Sequence, residues 1–178
     1  MTAIVTDRAA PQEATKYRKS WLLLATAILA LTVGFGSIAG GVFGAWYTWD
    51  QAAVQSVVTP DDAAIPGADV RGPFTMWAQA DIITQHQLEG TDGLYYAEMD
   101  RMVPAVDEAG QPVLDEAGEQ VMVPNEARAS WINATALTTA LSLGILSYAL
   151  SAMAVAVGLT LVLTGFVFLR IRNKAVLI

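Results

Sequence analysis

The sequence predicts a mainly α-helical membrane protein: two transmembrane helices joined by an extracytoplasmic helical cap that carries a small β-hairpin or meander. Three observations lead there. No charged residue lies between Lys19 and Asp50, and none lies between Arg128 and Arg170, although 15% of the 178 residues are charged. An uncharged apolar run of about 20 residues is long enough to cross the bilayer core as a helix. The polar remainder forms one segment between the two runs, and that segment is acidic.

Charge sets the orientation. The N-terminal tail carries Arg8, Lys16, Arg18 and Lys19 against Asp7 and Glu13, and the C-terminal tail carries Arg170, Arg172 and Lys174 against no acid. Residues 46–135 hold 15 acids against Arg71, Arg101 and Arg128, a local charge of −12 within a chain total of −7. Basic residues beside both runs put both termini in the cytoplasm. The expected organisation is a cytoplasmic tail at 1–19, a transmembrane helix at 20–46, an extracytoplasmic domain at 47–140, a second transmembrane helix at 141–169 and a cytoplasmic tail at 170–178. This is a multi-pass protein of the plasma membrane, in contact with the lipid bilayer. Nucleic acid is excluded as a partner by the sign of the outer surface. The chain has no cysteine, which removes disulfides and thiolate metal sites.

The first run, from Trp21, is longer than the apolar core of a signal peptide. It also continues into Trp46, Tyr47 and Trp49 rather than a small-residue cleavage site, so it is expected to be retained. Those aromatics read as an outer interfacial belt, with Trp21 at the inner interface. The helix is expected to continue as a wetter segment towards Pro60. Residues 59–73 then hold three prolines and two glycines, a loop by composition. Pro73 and Gly90 bracket a helix. At 100° per residue, Phe74, Met76, Trp77, Ala80, Ile83, Thr84 and Leu88 share one face, with Gln79, Ile82 and His86 on the far side. The expectation is an amphipathic helix packed through Trp77. Within residues 102–124, DEAG occurs at 107–110 and 115–118, and MVP stands at both ends. Short apolar runs between Asp/Gly turns predict a meander of two or three strands. Asn125 is placed to cap a last, long helix.

The strongest local motif is a four-residue repeat, Gly36, Gly40 and Gly44, with Ser37, Gly41 and Ala45 as a second small-residue row beside it; the second run offers Ser147, Ser151, Ala154 and Gly158. In lipid, small residues let helix backbones approach closely. The row can pack the two spans of one chain together, or dock them to a second copy or another membrane subunit. Neither span contains an Asp, Glu, Lys, Arg or His, residues that ion and proton pathways need. The two helices alone therefore do not make a transporter.

His86 is the single histidine. It lies near Asp81, Glu89 and Asp92, but a two-histidine-one-carboxylate iron site needs two histidines, and a catalytic zinc site takes three protein ligands, mostly His or Cys. Neither a GxSxG nor an SxxK pattern is present. No catalytic residue, cofactor site or metal ligand is assigned, and His86 is expected to be solvated or hydrogen-bonded on the polar face of its helix, where it can respond to pH.

The stretch RGPFTMWAQADIITQHQLEGTDGLYYAEMDR (71–101) with a C-terminal apolar helix ending in RIR resembles a group of small actinobacterial two-span membrane proteins. The likeness covers about residues 20–172, most closely the GPFT stretch, the QADII run, His86, Leu88, Glu89, Asp92 and Gly93. Segment 105–123 looks like an insertion relative to shorter members. The group is often labelled as aromatic ring-opening dioxygenase, a chemistry that one histidine cannot supply. The resemblance implies topology and no activity.

The sequence thus predicts a non-enzymatic accessory or interaction subunit of a cell-envelope membrane complex. Its partner is another membrane or envelope protein or a second copy, and Trp49, Trp77, His86 and Trp131 are the candidate contact residues. A sensor or ligand-binding module is the alternative, and a metal-dependent enzyme centred on His86 a third.

Overall fold

The computed structural model describes residues 21–174. The predicted N-terminal tail and the last four residues of the C-terminal tail lie outside the described residues. Within them the chain forms α1 (Trp21–Val54), α2 (Pro73–Glu89), β1 (Met102–Pro104), β2 (Met122–Pro124) and α3 (Glu126–Lys174). Helices α1 and α3 are both long and apolar enough to cross a membrane. Most of their large apolar side chains, such as Phe35, Val42, Leu143 and Leu163, point outward and are exposed. The chain divides into two compact units, one combining residues up to 40 with those from 153 onward, the other Gly41–Ala152.

In the first unit the two helix segments run antiparallel. Gly34 lies against Gly158 and Val162, Ile38 against Gly158, and Ala27 and Leu31 against Gly165. A methyl group added at Gly158 would come 2.6 Å from the Gly34 carbonyl oxygen and 2.9 Å from the Ile38 nitrogen. One at Gly34 would come 2.9 Å from the Gly158 carbonyl oxygen. Only hydrogen fits there, because the obstacle is backbone.

At Gly36 and Gly40 the glycine row does not pack the two spans of one chain together. Gly36 and Gly40 are exposed, and a methyl group at either meets nothing within 4 Å. The reason is rotational. Gly36 stands two residues, about 200°, from Gly34 and so faces the opposite way. Residues seven apart drift by only about 20°. The buried positions of α1, Ala27, Gly34 and Gly41, follow that seven-residue spacing, and so do Ser151, Gly158 and Gly165 of α3.

In the Gly41–Ala152 unit, Gly44 faces Ser151, with 2.8 Å between a built methyl group and the serine Oγ. Thr48 and Ser147 share a hydroxyl hydrogen bond of 2.6 Å. Ala154, in the first unit, is half-buried. Helix α1 ends at Val54, earlier than expected, where Ser56 takes a left-handed φ of 51°.

Helix α2 begins with Pro73 at its first turn, where the missing N–H is no loss. The Thr75 hydroxyl accepts the Arg71 and Gly72 N–H groups. The helix runs antiparallel to α3: Met76 touches Gly144 at one end, and Gln87 Nε2 donates to Ser130 Oγ at 2.6 Å near the other. Its buried residues are Met76, Ala78 and Ile82. The predicted face is therefore corrected: Ile82 points inward, whereas Phe74 is 77% and Trp77 52% exposed. Met76 Sδ occupies the space that a glycine at 144 leaves open, and this small contact, not Trp77, seats the helix.

The hairpin segment is two-stranded but is not a meander. The two MVP runs pair with each other, Val103 opposite Val123, and no third strand lies between them. The intervening residues make two tight turns with one construction. Asp107 Oδ1 accepts the Ala109 and Gln111 N–H groups, and Asp115 Oδ1 accepts those of Ala117 and Glu119. Gly110 and Gly118 supply the left-handed φ values of 75° and 80°. Ala105, Val113 and Val121, eight residues apart, hydrogen-bond in a closed ring: Ala105 donates to Val121, Val121 to Val113 and Val113 to Ala105.

At the start of α3, the Asn125 side chain accepts the Arg128 N–H at 3.1 Å and donates to the Asp100 carbonyl. It satisfies one of the orphan donors of the first turn.

These contacts predict opposite signs for two chemically identical changes. Gly158→Ala should destabilise the protein by about 1–3 kcal/mol, since backbone cannot yield as a side-chain tip can. Gly36→Ala should be neutral or stabilising by up to about 1 kcal/mol, from helix propensity alone. Reversible unfolding in mixed detergent micelles, followed by circular dichroism, measures both.

Candidate functional site

Three features of the Gly41–Ala152 unit have the geometry for recognition. The first is the loop before α2. The buried Thr59 organises it: its Oγ1 accepts the Ala68 N–H at 2.9 Å and donates to the Ile65 carbonyl, while its own N–H and carbonyl bond to Ala68 and Gly67. The Val70 N–H donates to the Val57 carbonyl and closes the loop ends together. The loop presents Asp62 to His86 of α2, with 2.6 Å between Asp62 Oδ2 and His86 Nε2. An ionised carboxylate can only accept, so Nε2 carries the hydrogen. Both side chains remain about half exposed. The hydrogen bond from His86 holds the Asp62 carboxyl below its usual value of 3.8.

His86 is thus on the exposed face of α2, as expected there, but it is engaged with an acid 24 residues away that no local pattern could identify. Among the described residues no three His, Asp or Glu side chains gather where they could hold a metal ion.

The second feature surrounds Trp131, which is 7% exposed. Its Nε1 donates to the Leu94 carbonyl at 3.1 Å, and its ring packs at 5.5 Å from that of Tyr95. This candidate contact residue is therefore a core residue of the cap. Beside it runs an open groove of about 460 Å³ lined by Tyr96, Trp131, Ile132, Thr135, Ala136 and Thr139. The Arg128 guanidinium lies 3.7 Å over the Tyr96 ring, and its Nε donates to the Tyr96 carbonyl.

The third feature is aromatic. Trp49 is exposed with the Arg71 guanidinium 5.3 Å over its ring, and Arg71 is also paired with Asp69 at 3.1 Å. Trp46 and Tyr47 are exposed on the same helix end, each packed on Phe43. The Tyr148 hydroxyl donates to the Arg71 carbonyl. Sequence reasoning singled out Trp49 and Trp77 but missed Phe74. The available signal was its place beside Pro73, at a helix tip that no preceding turn covers.

The chain matches no protein-family model, no curated protein and no solved structure.

The Asp62–His86 contact predicts a pH dependence. A lowered folded-state carboxyl value means that the pair's contribution is present above the ordinary carboxylate range and lost as pH falls through the folded value. Amide protection factors of residues 57–70, which are exchange rates corrected for the intrinsic pH dependence, should fall on acidification through the folded carboxyl value. In Asp62→Asn the acid-dependent step should disappear, with exchange at neutral pH already faster than in the native chain.

Proposed function

We propose that the chain is a non-enzymatic integral membrane protein of the cell envelope, crossing the plasma membrane twice with both termini in the cytoplasm. It serves as an accessory or interaction subunit whose outer cap binds another envelope protein. One observation carries this reading. The hairpin arm is fully built, with Asx turns, left-handed glycines and a closed hydrogen-bond ring, yet residues 106–120 are exposed throughout. An arm that buries almost nothing adds little to the stability of its own chain. It carries Asp107, Glu108, Asp115, Glu116 and Glu119 and no basic residue. A basic patch on the partner is the complementary surface, and a second copy of an equally acidic arm is disfavoured by like charge.

The open groove beside Trp131 favours a second reading, an extracytoplasmic sensor or ligand-binding module. Its volume of about 460 Å³ lies in the range of small-molecule sites.

Native complexes solubilised in mild detergent should retain a stoichiometric partner of the full-length chain. A variant in which an Asn-Gly turn replaces residues 106–120 should lose it while keeping its helical spectrum. Full-length protein isolated at native abundance without any partner would sink the accessory reading. Ala136→Trp separates the alternatives: filling the groove should leave capture by the arm unchanged, and lost capture would point to the groove instead.

A further inference from the structure

We infer that the tip of α2, through Phe74 and Trp77, sits in the outer interfacial layer of the lipid bilayer, so that the cap rests on the membrane beside the two spans. This rests on the proposal that α1 and α3 insert. Three contacts, all within Gly41–Ala152, give the level of the tip: Thr48 with Ser147, Met76 with Gly144, and the Tyr148 hydroxyl with the Arg71 carbonyl. At 1.5 Å per residue, Tyr148 and Gly144 lie about 33 Å and about 39 Å along a helix from Arg170, the first basic residue beyond the apolar run. The hydrocarbon core is about 30 Å thick and the whole bilayer about 40–45 Å. With Arg170 among the cytoplasmic headgroups, residues 144–148 fall at the outer edge of the hydrocarbon and in the outer headgroups.

Met76 is in contact at that level, and Phe74 and Trp77 flank it on the same turn of α2. Both are exposed, at 77% and 52%. The exposed Trp46, Tyr47 and Trp49 share the level through their neighbour Thr48. Trp and Tyr concentrate at this depth because their rings are apolar and their edges polar. The acids of α2 lie farther along, at Asp81 and Glu89, and α2 passes Ser130 there, well outside the apolar run of α3. The patch is therefore continuous with the apolar surface of the spans; the Arg71–Asp69 ion pair shares its level, where lipid headgroups accept charge, and the acids of α2 lie farther along, which commits the patch to lipid rather than to the partner of the arm.

The chain lacks cysteine, so single labels are direct. Phe74→Cys, Val157→Cys and Glu116→Cys all replace exposed side chains. Each is labelled with a nitroxide, and the full chain is reconstituted at high dilution in phosphatidylcholine vesicles. Collision rates with oxygen, which favours lipid, and with a water-soluble nickel chelate are then compared. The oxygen-to-nickel ratio at position 74 should be severalfold above that at 116 and below that at 157. A ratio at 74 equal to that at 116, with 157 in lipid, overturns the inference and leaves the spans standing. Low accessibility of position 74 to both reagents means that protein covers the patch, and also overturns it. If 157 itself matches 116, the spans do not insert, and both proposals fall together.

Discussion

Two apolar helices gain nothing from burying carbon against carbon when their surroundings are equally apolar. What remains is contact, and contact deepens only as side chains become smaller. In this protein α1 and α3 meet through hydrogen atoms of glycine, at Gly34, Gly158 and Gly165 in one unit and at Gly44 in the other, and Gly144 does the same for Met76 of α2. Ser147, Ser151 and Thr48 add hydroxyls small enough for the same spacing and able to bond across it or back to their own helix. The same constraint places the cap. Gly144 leaves a recess one thioether deep, Met76 fills it, and that fit sets where α2 starts relative to α3.

Much of the secondary structure was legible because its signals are local. Pro73 at a helix start, Gly90 after its end and Asn125 as a cap depend on neighbours within four residues, and the charge-free runs depend on composition alone. The site was less legible because its partners are distant. Thr59 and Asp62 carry no local mark of their bonds to Ile65, Ala68 and His86. A spacing of four suggests one glycine face, whereas the buried positions of α1 follow a spacing of seven. Both spacings are written in the sequence, and only geometry chooses between them. Met76 is buried on the expected face of α2, but side-chain size does not mark the rest of that face. Trp77 is large but 52% exposed, and the smaller Ala78 and Ile82 are buried.

The cap has a thin core of Ala63, Val70, Met76, Ala78, Ile82, Trp131 and Ala134. A separate domain of this size would be marginal on burial alone. Its order comes instead from attachment. Gln87 to Ser130, Tyr148 to Arg71 and Trp131 to Leu94 each tie a cap element to a long helix. The cap is ordered by these ties to the α3 segment of its own unit. This division of labour leaves the hairpin arm, exposed over residues 106–120, free of structural duty.

The ring formed by Ala105, Val113 and Val121 sets the size of that arm. An ordinary hairpin can be lengthened by adding residue pairs, and its outer strands always offer unpaired N–H and carbonyl groups to any passing chain. In the ring, each of the three residues gives its N–H to one neighbour and its carbonyl to the other, so the circuit is complete at three. Adding or removing one eight-residue copy would break it rather than extend it. The arm therefore has a fixed repeat number, and at these positions it is closed to the strand-to-strand polymerisation that threatens an exposed β-hairpin.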